Sequence, residues 1–140
     1  MKLEIISVAA PRAYPPRVSE FTRPFWNALA EGRFITTQCR SCEKFSFPPK
    51  PICPHCWSAD VAWNELRSSG SLYSWTRIHA APAAFAVEAP YAVGIVDLDQ
   101  GVRLACRLVT HERVEWAVGA RVEMVVLAYQ DGPLLAARPV

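Results

Sequence analysis

No apolar run in this sequence approaches the ~18 residues that a membrane-crossing helix requires, so no membrane helix is expected. The opening MKLEIISVAAPRAYPP has too short an apolar core for a secretory signal, and a cytoplasmic protein is the expectation. An excess of one charge is also missing: 15 Lys plus Arg face 13 Asp plus Glu, a formal net charge of +2. That is too little to serve by itself as a footprint for nucleic acid or an anionic membrane. Internal repeats are lacking, and low complexity is confined to the proline-rich first 20 residues.

What is present suits a globular chain. Of 140 residues, 51% are hydrophobic, 20% are charged and five are Trp, which supplies core material and argues against global disorder. The length fits one domain, or a small metal-stapled module joined to a compact barrel. Five cysteines occur. Four form two C-x-x-C pairs, Cys39/Cys42 and Cys53/Cys56, with ten residues between the pairs. In a reducing compartment such pairs are better read as metal ligands than as disulfides. Each pair can curl into a knuckle that turns two sulfurs to one point, and two knuckles supply a thiolate tetrahedron suited to Zn²⁺, with bonds of ~2.3 Å. Iron can take the same place on heterologous expression. Four thiolates leave no open coordination position, which argues for a structural ion and against a hydrolytic one. His55 offers an alternative ligand inside the second knuckle. Phe45, Phe47 and Trp57 are placed to cover the metal.

Before the cysteines, Pro11, Pro15 and Pro16 favour an extended arm lying on another surface, with a disordered tail as the alternative. FTRPFWNALAEGRF then reads as a short helix over about residues 23–31, with Thr22 as cap, Pro24 in the first turn and Gly32 at the close. Phe21, Phe25, Trp26 and Leu29 share one stripe, which packs either on this chain or on a partner. After residue 66 the pattern becomes five β-strand runs: SLYSWTRIHA, YAVGIVDLD, VRLACRLV, ARVEMVVLAY and LLAARPV. Tight turns at Asp99-Gln100-Gly101 and Gln130-Asp131-Gly132 make hairpins. THERVEWAVG, between the third and fourth runs, has room for a turn or two of helix where a five-stranded OB barrel carries one.

Alternation in VRLACRLV puts Cys106 on the apolar face with Leu104 and Leu108, so it reads as core rather than as a thiol nucleophile. His79 and His111 receive no role. An OB barrel carrying Tyr73, Trp75, Tyr91 and Tyr129 raises single-stranded nucleic-acid binding as a second reading. Charge weakens it: residues 66–140 hold seven Arg, no Lys and seven Asp plus Glu, whereas a phosphate-tracking groove needs clustered positive charge. Arg77, Arg103 and Arg107 are the candidates for any phosphate. The loop AAPAAFAVEAP is apolar where loops are normally polar, and Phe85 and Val87 there suit a thioester's pantetheine arm, a partner subunit or the barrel itself.

The ordered string FWNALAEGRF, CRSC, FPPKPIC with CPHC, SGSLYSWTRIH, APYAVGIVDLDQGVRLACRLV and VGARVEMVV resembles the zinc-ribbon plus acyl-CoA-associated OB-fold family, formerly a domain of unknown function. The resemblance spans roughly residues 21–139. It implies a mainly β chain: arm and short helix over 1–33, a rubredoxin-like zinc ribbon over 34–65 and a five-stranded OB barrel over 66–140. It also implies four ribbon ligands, Cys39, Cys42, Cys53 and Cys56, and a role as accessory subunit to thiolase-like or MaoC-like hydratase enzymes acting on acyl-CoA. Such a subunit would bind its enzyme through Phe25, Trp26 and Phe85 and could help hold the CoA thioester. Glu43 departs from the family, which often has Gly after the first knuckle.

Overall fold

A computed structural model describes residues 2–110 and 115–140. The helix α1 runs Arg23–Ala30, with Pro24 in its first turn, and its Phe25, Ala28 and Leu29 are buried at the i, i+3, i+4 spacing of one face. Thr22 occupies the N-cap, but its side chain makes no capping bond. Its Oγ1 instead accepts from the Ser19 N–H at 3.0 Å, and Ser19 Oγ accepts from the Thr22 N–H at 3.1 Å. At the other end Gly32 sits at φ +79°, and the Arg33 N–H donates to the Ala28 carbonyl at 2.8 Å. This is the six-to-one bond of a Schellman close, for which glycine has no Cβ penalty.

Two antiparallel pairings form the ribbon sheet: β2 (Ile35–Cys39) lies between β3 (Phe45–Ser46) and β4 (Val61–Glu65). Its centre carries two buried threonines. Thr36 Oγ1 donates to the Ser46 carbonyl, and Thr37 Oγ1 accepts from the Lys50 N–H, so neither hydroxyl is left unsatisfied.

The five strands expected after residue 66 are present: β5 (Ser69–Ile78), β6 (Tyr91–Leu98), β7 (Arg103–Leu108), β8 (Arg121–Tyr129) and β9 (Gly132–Pro139). Antiparallel pairs β5–β6 and β6–β7, the parallel pair β7–β9, and antiparallel pairs β9–β8 and β8–β5 close the ring. Closure in this order is that of an OB barrel and leaves few free edges. β5 serves two neighbours by bending at a register shift between Leu72 and Ser74, which leaves Tyr73 half exposed. The helix expected between the third and fourth runs falls largely on residues 111–114, outside the described residues, as does His111. Residues 115–117 are not helical, and Trp116 is buried in the core.

The proline-rich arm does more than lie on the barrel. Its β1 (Ile5–Ser7) pairs in parallel with β8 at Val126–Ala128, beyond the stretch that β5 covers. Leu3 enters the core, and the Arg12 guanidinium donates to the carbonyls of Asp131 and Pro133 across Gly132. A three-residue strand is too short to show a period, which is why it was not legible as one.

One hydrophobic cluster joins Phe25, Leu29 and Phe34 to Leu72, Val96, Leu104, Val122, Met124 and Val126, so helix, ribbon and barrel share a core. Over it runs a set of surface ion pairs, Asp97 with Arg103 and Asp99 with Arg121, each at 2.6 Å. Hydrogen bonds from these arginines hold both carboxyls below their usual range, and the Arg12 N–H does the same for Asp131. Depressed folded values mean that this stabilisation is full above the unfolded pKa of ~3.9 and is lost as pH falls through the folded ones. Urea midpoints should therefore drop between pH 5 and pH 2. Because the groups are exposed the drop should be modest and shrink in high salt; a midpoint rising on acidification contradicts this.

Candidate metal centre and barrel mouth

Cys39 ends β2, and chain reversals bring Cys42, Cys53 and Cys56 to it. The four sulfurs all lie within 4.8 Å of one another, with Cys39 to Cys56 at 3.5 Å and Cys42 to Cys53 at 3.6 Å. None is in a disulfide. A tetrahedron with ~2.3 Å bonds has edges of about 3.8 Å, so the donor set fits a thiolate-bound ion.

The two knuckles are built alike. Each is closed by a residue in the left-handed region directly after its second cysteine: Glu43 and Trp57, both at φ +65°. Their N–H groups donate back to the Cys39 and Cys53 carbonyls at 3.0 and 2.9 Å. Backbone N–H groups of Ser41 and Cys42 point at Cys39 Sγ, and that of His55 at Cys53 Sγ. With the Cys42 N–H as the largest cause, the Cys39 thiol is lowered to about 6, while Cys56, despite the Ser58 N–H that lowers it, is pushed up to about 12 by the crowded sulfurs of its neighbours; four thiolates side by side need a cation between them. Glu43, as a non-glycine residue in the left-handed region, keeps the turn at a steric cost of roughly 1 kcal/mol. Glu43→Gly should therefore raise the unfolding free energy by up to about 1 kcal/mol in a urea titration; a loss of stability contradicts this.

Placement of the other candidates is uneven. His55 is not in the four-sulfur group, and its Nε2 lies 3.4 Å from the Phe45 carbonyl. Trp57 does not cover the metal, because the turn that closes the knuckle leaves it 80% exposed. Phe47 is committed to the core, edge-on to Phe25 at 5.7 Å and to Phe34 at 6.0 Å. Phe25 itself is buried, so it is spent inside the molecule and offers no surface to a partner; Trp26 is half-buried. Phe85 sits half-buried on a 3-10 turn, Ala83–Glu88, at the barrel mouth, 6.2 Å from Tyr91.

Cys106 packs against the barrel core, and desolvation pushes its thiol up to about 12. A thiol held neutral in this way is a poor nucleophile. Iodoacetamide at pH 8 should leave Cys106 in the folded protein essentially unmodified by mass spectrometry, whereas alkylation at the rate of a free thiol contradicts the core assignment.

Of the three arginines singled out for phosphate, Arg77 stands exposed on β5 opposite Ala92, whereas Arg103 and Arg107 already have carboxylate partners. Arg103 binds Asp97 and lies 3.7 Å over the Tyr73 ring. Arg107 donates to Glu88 at 2.9 Å and lies 4.1 Å over Tyr91. Glu88 also accepts from the Tyr129 hydroxyl at 3.3 Å, a cluster that sequence reasoning missed because its members are far apart in the chain.

The model of the family described as "ChsH2, rubredoxin-like zinc ribbon domain" matches residues 26–62, and that described as "ChsH2, C-terminal OB-fold domain" matches residues 63–127. A DUF35 domain-containing scaffold protein of Pyrococcus furiosus is 31% identical over 111 residues, 79% of each chain. The chain belongs to the DUF35 family. The solved "Ltp2-ChsH2(DUF35) aldolase" contains a chain 31% identical, matched with a TM-score of 0.76 over 89% of this chain and 98% of that one. A probable enoyl-CoA hydratase alpha subunit of Thermomonospora curvata is 37% identical over 101 residues, 71% of this chain. The DUF35 chain spans only 31% of that relative's length. A zinc ribbon followed by an OB barrel, as the sequence led us to expect, is therefore the architecture of this DUF35 protein. No helix among its described residues is long and apolar enough to cross a membrane.

Proposed function

We propose that this DUF35 chain is a non-catalytic, cytoplasmic accessory subunit of an acyl-CoA-processing enzyme, either thiolase-like or a MaoC-like hydratase. Cys39, Cys42, Cys53 and Cys56 would hold one Zn²⁺, replaceable by iron on heterologous expression, and fix the ribbon's shape. The observation that carries the reading is the likeness to the DUF35 chain of the Ltp2-ChsH2 aldolase over nearly that chain's whole length. The hydratase alpha subunit supports it, since a segment similar to this chain makes up part of an acyl-CoA enzyme subunit there. A saturated thiolate set and a desolvated Cys106 fit a supporting rather than a catalytic role. Trp26 and Phe85 remain as contacts for the enzyme. Single-stranded nucleic acid is disfavoured because Arg103 and Arg107 are already neutralised by Asp97 and Glu88.

The test is reconstitution. The chain is purified with its native partner, the subunits are separated and acyl-CoA turnover is measured for each and for the mixture. Turnover by the partner that falls on separation and recovers on mixing is the expected result. Full turnover by this chain alone, or a partner wholly indifferent to it, contradicts the reading.

A further inference from the structure

A cavity of about 260 Å³ lies in the seam between ribbon and barrel. Phe45 of β3, with Phe47 beside it, and Pro54 of the second knuckle line its ribbon side. Gly101 and Val102, from the turn that leads into β7, line its barrel side. The cysteine site fixes part of this wall, because the loop that carries Pro54 and His55 is the one that joins Cys53 to Cys56. Three basic side chains, Lys50, His55 and Arg103, also line the cavity, and among the described residues no carboxylate does.

The three basic side chains are not equivalent. Arg103 is already matched, since it gives Asp97 two hydrogen bonds, at 2.6 and 3.0 Å. Lys50 is pinned only at its backbone, whose N–H donates to Thr37 Oγ1 at 2.9 Å. Its side chain is exposed, and the ammonium has no carboxylate partner among the described residues. With His55 counted neutral, the seam carries one uncompensated positive charge. That balances a monoanion such as a carboxylate, whereas a phosphate dianion would leave a negative charge unmatched. Strength decides where the carboxylate comes from. An ion pair at an exposed lysine tightens binding by at most about fivefold, too little to retain a free small acid. A side chain already brought close by a protein interface needs no such retention, and there the same pair sets register and specificity. The apolar walls suit the methylenes that precede its carboxylate.

We propose that the seam is a docking socket for one aspartate or glutamate of the partner protein, its carboxylate on Lys50 Nζ and its methylenes against Phe45 and Phe47. That the partner is an acyl-CoA enzyme subunit rests on the reading above; the choice of an acidic side chain follows from the charge of the seam. Because the socket spans both modules, the ion held by the cysteines fixes one wall of an interface, and the Asp97–Arg103 pair fixes the other.

Carbodiimide cross-linking of the complex with its native partner tests this, because the reagent joins an amine directly to a carboxylate in contact with it and leaves no spacer. The chain has three lysines, Lys2, Lys44 and Lys50, so mass spectrometry can assign every cross-link. One from Lys50 to an aspartate or glutamate of the partner is expected. Lys50→Glu should weaken the complex about tenfold by setting like charges together, Lys50→Arg should restore most of the affinity, and thermal melting should show both variants folded. Lys44→Glu changes the net charge equally and should cost less than about threefold. Inorganic phosphate at millimolar concentration should not bind the chain alone in titration calorimetry. Absence of a Lys50 cross-link from an intact complex, with Lys50→Glu binding as before, overturns the socket and leaves the accessory-subunit reading standing. A Lys50 cross-link to a protein that handles no acyl-CoA keeps the socket and removes that reading. An equal loss in Lys44→Glu would reduce the effect to overall charge, and phosphate binding that Lys50→Glu abolishes would make the seam a small-anion site; either result overturns the proposal.

Discussion

Chelation of the metal is expected to unfold the ribbon. Structural Zn²⁺ stabilises small modules by an apparent ~10–16 kcal/mol near neutral pH, against a total stability of roughly 5–15 kcal/mol for an ordinary domain. The ribbon sheet has only 12 residues, in strands of five, two and five. It draws on the common core mainly through Phe34 and Leu66 at its two ends and Phe45 and Phe47 beside it. Without the ion, four sulfurs packed within 4.8 Å lose what holds them together. Treatment with a strong chelator should abolish the near-ultraviolet dichroism of the aromatic cluster and open the 40–60 segment to protease, and Cys53→Ser should do the same. Because Phe25 and Phe34 belong to the cluster that also fills the barrel, the barrel's melting temperature should fall as well. An unchanged melting curve and protease pattern after complete metal removal would contradict the staple.

Phe34→Ala is the second large effect. Phe34 is 2% exposed, meets Phe47 at 6.0 Å and precedes β2, where its carbonyl accepts from the Leu66 N–H at 2.8 Å. It stands at the joint of helix, ribbon and barrel. Truncation there removes transfer energy and leaves a cavity that three elements cannot close together, so a loss of about 3–5 kcal/mol is expected in a urea titration. Phe34→Leu, which keeps most of the volume, should cost markedly less. A loss below about 1 kcal/mol for Phe34→Ala would mean that the three parts do not share this core.

Much of the architecture was legible in the sequence because its signals are local. The four cysteines carry their spacing with them, and the strand runs after residue 66 alternate cleanly enough that Leu104 and Leu108 fall inside while Arg103 falls outside. Pro24 and Gly32 marked the helix ends for reasons of backbone geometry alone. The signals that failed depend on the fold. Whether the aromatic stripe of α1 faced this chain or a partner could not be read from spacing; packing decides it, and Phe25 goes inward. Trp57 was expected over the metal, but the left-handed turn that closes its knuckle points it to solvent. The Arg107–Glu88–Tyr129 cluster joins residues 19 and 41 positions apart, a separation at which sequence carries no pairing signal without the barrel that brings them together.

The role assigned to the chain depends on what it is bound to in the cell. Native mass spectrometry of the tagged chain, purified gently from its own organism, reads metal and partner in one spectrum. The account predicts an assembly in which each 15.6 kDa chain carries one zinc ion and is joined to an acyl-CoA enzyme subunit in fixed ratio. A spectrum of the lone chain, free of any acyl-CoA enzyme, would contradict it.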